Sequence, residues 1–157
     1  LLKKLKENNI QTCIETNASL KNCEELFQSV DYMIADFKSP DKEKLKSTTD
    51  ADLDTIKENL LFRAKTGKPL LIRIPLINSF NNGEENARLF ADFFNKLKAE
   101  SGNENLLFEI LTYHEYGKEK YEKLGKKYTV ENGFVSPDDV RILATEIQNK
   151  NLKLIHT

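Results

Sequence analysis

Four polar stretches punctuate an otherwise regular series of apolar runs: Glu15-Thr16-Asn17, Asp36-Phe37-Lys38, Arg73 followed by Asn78-Ser79, and Tyr113-His114. Each lies within or at the C-terminal end of a segment that reads as a strand. In Asp36-x-Lys38 the strand period of two points both side chains the same way. An Asp and a Lys held side by side neutralise each other and still offer an acceptor and spare donors. That pairing suits a ligand with hydroxyls or a carboxylate. One such pair alone is more often a plain ion pair. Parallel strands put all their C-terminal ends on one rim, where open α/β sheets and β/α barrels hold ligands. Four polar strand ends on one rim make a binding site the stronger reading.

The elements that must position these residues alternate. Gln11 to Thr16, Tyr32 to Phe37, Leu70 to Ile77 and Leu106 to Leu111 read as strands, with Leu152 to Ile155 a possible short fifth. Between them fall a helix near Leu20 to Gln28, one over Asp50 to Lys65 with Leu53, Ile56, Leu60, Leu61 and Ala64 on one face, and one over Glu84 to Lys98 with Ala87, Phe90, Phe93, Phe94 and Leu97 inward. Pro75 removes a ladder donor and marks the end of the third strand. Ser136-Pro-Asp-Asp139 opens a last helix with an N-cap, a Pro at the first position and an acid three residues on. From Glu115 to Ser136 there is no clear helical or strand period, and loops that long are usually functional or disordered. Strand–helix alternation predicts an α/β fold with a mainly parallel sheet and right-handed crossovers. The pattern supplies four or five βα units, too few for a closed eight-stranded barrel.

The 157 residues fit a single domain spanning 1–157. A composition of 39% hydrophobic and 31% charged residues, with formal net charge −1, carries no basic field for nucleic acid. No apolar run is long enough for a transmembrane helix, so no membrane role is expected. Two cysteines, Cys13 and Cys23, make no disulfide framework, and a cytoplasmic setting is expected. Both read as packing residues. The chain opens inside an apparent helix, Leu1-Leu-Lys-Lys-Leu5-Lys-Glu, which suggests an excerpt of a longer protein.

Taken in order, Glu15-Thr-Asn-Ala18, Asp36-Phe-Lys38, Ile72-Arg-Ile-Pro75 and Tyr113-His-Glu-Tyr-Gly117, continued by Lys120-Tyr121, Leu124-Gly125 and Tyr128, resemble the glycyl-radical-enzyme activating proteins of the radical SAM superfamily, of which the pyruvate formate-lyase activating type is the model. The resemblance implies a partial β/α barrel, with this chain as about the last four βα units of six. It implies that Asp36, Lys38, Arg73, His114 and Asn17 contact S-adenosylmethionine (SAM), and that Glu15, Thr16 and Asp36 form a monovalent-cation site. It assigns no catalytic side chain in this stretch. The activity implied for the whole protein is reductive cleavage of SAM at a [4Fe–4S] cluster to a 5′-deoxyadenosyl radical, which takes a hydrogen atom from a backbone glycine. The implied partners are a glycyl radical enzyme and an electron donor such as flavodoxin or ferredoxin.

The sequence departs from the family pattern. Glu15 stands for Asp, Ala18 for Gly, Thr112 for the Pro before Tyr-His, Asn78-Ser79 for a Pro-Gly turn, and Asp50 for the Gly of a Thr-Gly pair. The Cys-x-x-x-Cys-x-x-Cys loop of the family is absent: Cys13 and Cys23 are separated by nine residues. Three thiolates from such a loop would leave one iron open for SAM. The cluster ligands are therefore expected N-terminal to Leu1, and the chain alone is expected to be inactive. Two rival readings remain. One is a β/α-barrel aldolase or isomerase using Lys38 as Schiff-base or general-base residue, which the neighbouring Asp36 argues against. The other is a non-catalytic binding module docking through the charged 115–128 loop.

Overall fold

A computed structural model describes residues 1–155. Helix α1 (Leu2–Glu7) leads into β1 (Cys13–Thr16), α2 (Glu24–Ser29), β2 (Tyr32–Asp36), α3 (Lys42–Thr49), α4 (Leu53–Lys65), β3 (Leu70–Leu76), α5 (Glu84–Ser101), β4 (Leu106–Thr112), α6 (Lys118–Lys123), α7 (Pro137–Asn149) and β5 (Leu154–Ile155). The strands form one five-stranded sheet, parallel throughout, in the order β1-β2-β3-β4-β5. Each strand is added beside its predecessor because parallel neighbours need a crossover, and the helices supply it.

Register decides what each face carries. Met33, Leu70 and Leu106 form one row and Ala35, Ile72 and Phe108 the next. These rows are buried against Phe27, Leu45, Leu60, Phe90, Phe94 and Leu143 from the helices. Aromatic contacts cross this core: Phe37 stacks on Phe93 at 4.8 Å between centroids, and Phe94 packs on Phe108 at 4.6 Å. The alternate positions, among them Asp36, Arg73 and Glu109, point away from the helix core.

Pro75 does not end β3; it ends the pairing with β2. The Phe37 amide bonds to the Arg73 carbonyl at 2.8 Å. The next rung would need an N–H at position 75, which proline lacks. Pairing with β4 continues past it to Leu76. The chain beyond Asp36 is thereby freed at the rim.

Two helices carry no periodic signal. Only Leu45 of α3 is buried, and the helix starts because the Asp41 carboxylate accepts from the amides of Glu43 and Lys44. Helix α6 buries nothing. Helix α4 starts at Leu53, with Asp52 as its cap, because Asp50 is left-handed at φ 58 and closes α3. Helix α2 starts at Glu24 with Cys23 as its N-cap, so Cys23 lies at the helix entrance, while Cys13 is exposed instead of packed. Helix α7 opens on the expected capping box of Ser136 and Asp139.

Three departures from the family pattern share one backbone property. Ala18, Asp50 and Ser79 stand where the resemblance expects glycine, and all three have positive φ, 54°, 58° and 62°. The turns keep a glycine-type conformation with side chains in place, which strains a non-glycine residue by about 1–2 kcal/mol. Ser79 is exposed, so Ser79→Gly relieves strain at no packing loss and should stabilise the protein by about 0.5–1 kcal/mol after the entropy of the unfolded chain is counted. Denaturant unfolding of the variant checks this; a lower midpoint would mean the Ser79 side chain contributes to the turn.

Candidate functional site

Three adjacent strands place Asp36, Arg73 and Glu109 side by side in one register row. Arg73 Nε donates to Asp36 Oδ1 at 3.2 Å, and its Nη2 donates to Glu15 Oε1 on β1. Lys38 Nζ donates to the other Asp36 oxygen at 3.2 Å. Glu15, Arg73, Asp36 and Lys38 thus form one continuous chain of charges at the C-terminal ends of three strands. Burial opposes the Arg73 charge, but Asp36 and Glu15 outweigh it and raise the guanidinium pKa. Lys38, with a third of its side chain exposed at 34%, keeps donors free for a further partner.

The loops around this row are tied down by buried asparagines. Asn81 is 1% exposed. Its amide donates to the carbonyls of Lys38 at 2.7 Å and Pro75 at 2.8 Å, and its oxygen accepts from the Ile77 amide at 2.7 Å. It satisfies backbone groups beyond the last β2–β3 rung and fixes the Lys38 backbone against β3. Asn59 of α4 does the same behind β1, donating to the carbonyls of Ala18 and Leu20 at 2.8 Å each. A recess of about 560 Å³ opens beside Lys38, lined by Thr48, Thr49, Pro75, Asn78 and Asn132.

The other predicted site residues fall differently. Asn17 lies at the rim with its Oδ1 engaged by the Ser19 amide and hydroxyl, leaving its amide group for a ligand. Thr16 pairs with Ala35 on the helix-facing side, and its hydroxyl accepts from the Ala18 amide at 3.0 Å. Glu15, Thr16 and Asp36 therefore do not converge: both carboxylates are held by Arg73 and the hydroxyl is turned away. His114 stacks on Tyr116 at 4.5 Å between centroids and lines a recess of about 370 Å³ with Ile110, Thr112, Val140 and Ala144, at the edge between β4 and α7. The structure thus joins Glu15, Asp36, Lys38 and Arg73, places Asn17 just past the end of β1, and leaves His114 in a separate recess.

Sequence reasoning missed the device that holds the long loop. Tyr113 and Tyr128 share a hydrogen bond between their hydroxyls. Phe134 packs edge-on to the Tyr113 ring at 5.2 Å, and a Cβ at Gly133 would lie 2.8 Å from that ring. The Gly133 carbonyl accepts from the Asn78 amide at 3.0 Å, which joins the loop to the end of β3. Burial, and then the hydrogen bond shared with Tyr113, push the Tyr128 pKa up to about 12. The neutral phenol is the form the fold favours. Its contribution to loop docking is therefore fully present below the ordinary tyrosine value near 10 and is lost as pH rises from there through about 12. In Tyr113→Phe the ionisation of Tyr128 should move down towards 10, visible in the phenolate absorbance; an unmoved titration would show that burial alone sets it.

No family model matches the chain. The 4-hydroxyphenylacetate decarboxylase activating enzyme of Clostridioides difficile (strain 630) is 33% identical over 132 residues, 82% of this chain and 40% of that protein. The pyruvate formate-lyase-activating enzyme of Staphylococcus epidermidis (strain ATCC 12228 / FDA PCI 1200) is 32% identical over 152 residues, 88% of this chain and 56% of that protein. The chain belongs to the glycyl-radical-enzyme activating family. It spans about two fifths to just over half the length of these curated relatives. Among solved structures, a domain of pyruvate-formate lyase-activating enzyme from Bacteroides vulgatus ATCC 8482 superposes with TM-score 0.77 at 22% identity, over 99% of this chain and 86% of that domain. That likeness shows a common fold, a parallel sheet with helical crossovers. Among the described residues no helix is long and apolar enough to cross a membrane.

Proposed function

We propose that the protein containing this chain activates a glycyl radical enzyme, and that this chain supplies the face that binds SAM. The observation that carries the reading is the Lys38–Asp36–Arg73–Glu15 chain, set at the C-terminal ends of adjacent strands in a member of the activating family. Asp36 accepts from, and Lys38 donates to, the hydroxyls or amino-acid part of SAM; Arg73 and the free amide of Asn17 bound the same space. His114 is assigned as a further SAM contact on the resemblance of Tyr113-His114 to the family signature. A monovalent cation at Glu15, Thr16 and Asp36 requires Arg73 to release both carboxylates. The ion pair that occupies Lys38 favours this role over Schiff-base chemistry.

A [4Fe–4S] cluster would supply the electron that cleaves SAM. The residues described here do not fit one: no group of three His, Cys, Asp or Glu side chains converges, Cys13 is exposed on β1, and Cys23 caps α2. The cluster ligands belong to other residues of the protein, and this chain by itself is inactive. The partners are a glycyl radical enzyme and a flavodoxin- or ferredoxin-type electron donor, and a cytoplasmic location suits both. The test is to reduce the intact protein anaerobically with SAM and a glycyl radical enzyme. Methionine, 5′-deoxyadenosine and the electron-spin doublet of a glycyl radical are expected; intact SAM with every glycyl radical enzyme tried would overturn the reading.

A further inference from the structure

Glu109 interrupts the apolar strand β4, is 5% exposed, and accepts no hydrogen bond and joins no ion pair among the described residues. Its oxygens keep contact with solvent, and a charge set in an apolar strand with no partner in the fold is open to one that arrives from outside. Its register neighbour is Arg73, whose Nε and Nη2 are already committed to Asp36 and Glu15. Above and below it on the same face lie Leu107 and Leu111. The face therefore carries three carboxylates, Glu15, Asp36 and Glu109, against two cations, Lys38 and Arg73. The surplus negative charge sits on the group that is most deeply buried and least engaged.

We propose that Glu109 supplies the uncompensated negative charge by which this face selects a cationic ligand over its neutral counterpart. On the SAM reading, on which the proposal rests, that cationic centre is the sulfonium. No contact is needed for the effect. At a distance of several ångströms in a poorly screened interior, one charge on another is worth enough to shift affinity tenfold or more. Asp36 and Lys38 cannot supply this discrimination, because each cancels the other.

The experiment is calorimetric titration of the intact, anaerobically prepared protein with SAM and with S-adenosylhomocysteine, which carries a neutral thioether in place of the sulfonium. Wild-type protein should prefer SAM. Glu109→Gln, which keeps shape and removes the charge, should shrink that preference by about tenfold while affinity for the thioether holds. Glu109→Asp, which keeps the charge, should retain most of the preference and guards against a folding defect in the first variant. Equal losses for both ligands, or an unchanged preference, would overturn the proposal. Wild-type protein that binds neither compound would instead overturn the SAM reading and this proposal with it.

Discussion

Arg63→Met should destabilise the fold by roughly 3–5 kcal/mol, the range found when one partner of a buried charged network is removed. Arg63 is fully buried on α4 and donates to four carbonyls, those of Phe27 at 2.6 Å, Val30 at 2.9 Å, Asp31 at 3.0 Å and Pro69 at 2.9 Å. Those carbonyls end α2 and precede β2 and β3, so one guanidinium closes the end of the sheet opposite the site. Burial lowers its pKa and the nearby Asp31 opposes that. Methionine fills much of the volume but donates nothing, so the carbonyls of Phe27 and Asp31 lose this donor and those of Val30 and Pro69 keep only long bonds of 3.3 Å from Lys68 Nζ and the Met33 amide. Equilibrium denaturation measures the loss. A change under about 1 kcal/mol would mean that water replaces the guanidinium.

Lys38→Ala should weaken SAM binding by the intact protein roughly tenfold to hundredfold, because a hydrogen bond from a charged group contributes about 1.5–3 kcal/mol. Stability should hardly change: the Lys38–Asp36 pair is still open to solvent, at 34% and 23%, and Asp36 keeps Arg73 as a partner, so the loss should be about 1 kcal/mol or less. Asn81 holds the Lys38 backbone whatever side chain it carries. Calorimetric titration beside a thermal melt separates the two roles. A lowered melting temperature with unchanged SAM affinity would make Lys38 a structural residue.

Much of this was legible in the residues. Asp36, Lys38 and Arg73 could be placed on one face because strand alternation is strict and each strand announces itself as an apolar run. The capture of Glu15 by Arg73 could not, because it depends on cross-strand register, which no local pattern encodes. His114 shows the same limit: the period of two carries Glu109 and Leu111 to the open face and brings Tyr113, not His114, next in phase. Arg63 and Asn81 were invisible for another reason. Their partners are backbone groups, and a charged or amide side chain carries no mark in the sequence of being buried. Glu109 was legible and passed over, a single charge inside the run Leu106 to Leu111. The turn positions Ala18, Asp50 and Ser79 read as departures from a glycine pattern, and only the backbone angles show that the turn geometry was kept.

The most direct test is an anaerobic crystal structure of the intact protein with SAM. The ligand is expected on the open face of the sheet, with its polar groups within hydrogen-bond distance of Lys38 Nζ and Asp36 and its sulfur on the side of Arg73 and Glu109. SAM seated elsewhere, for instance in the apolar groove between α4 and α5 lined by Leu61, Leu89 and Phe93, with the Lys38–Asp36–Arg73 chain untouched, would contradict the account.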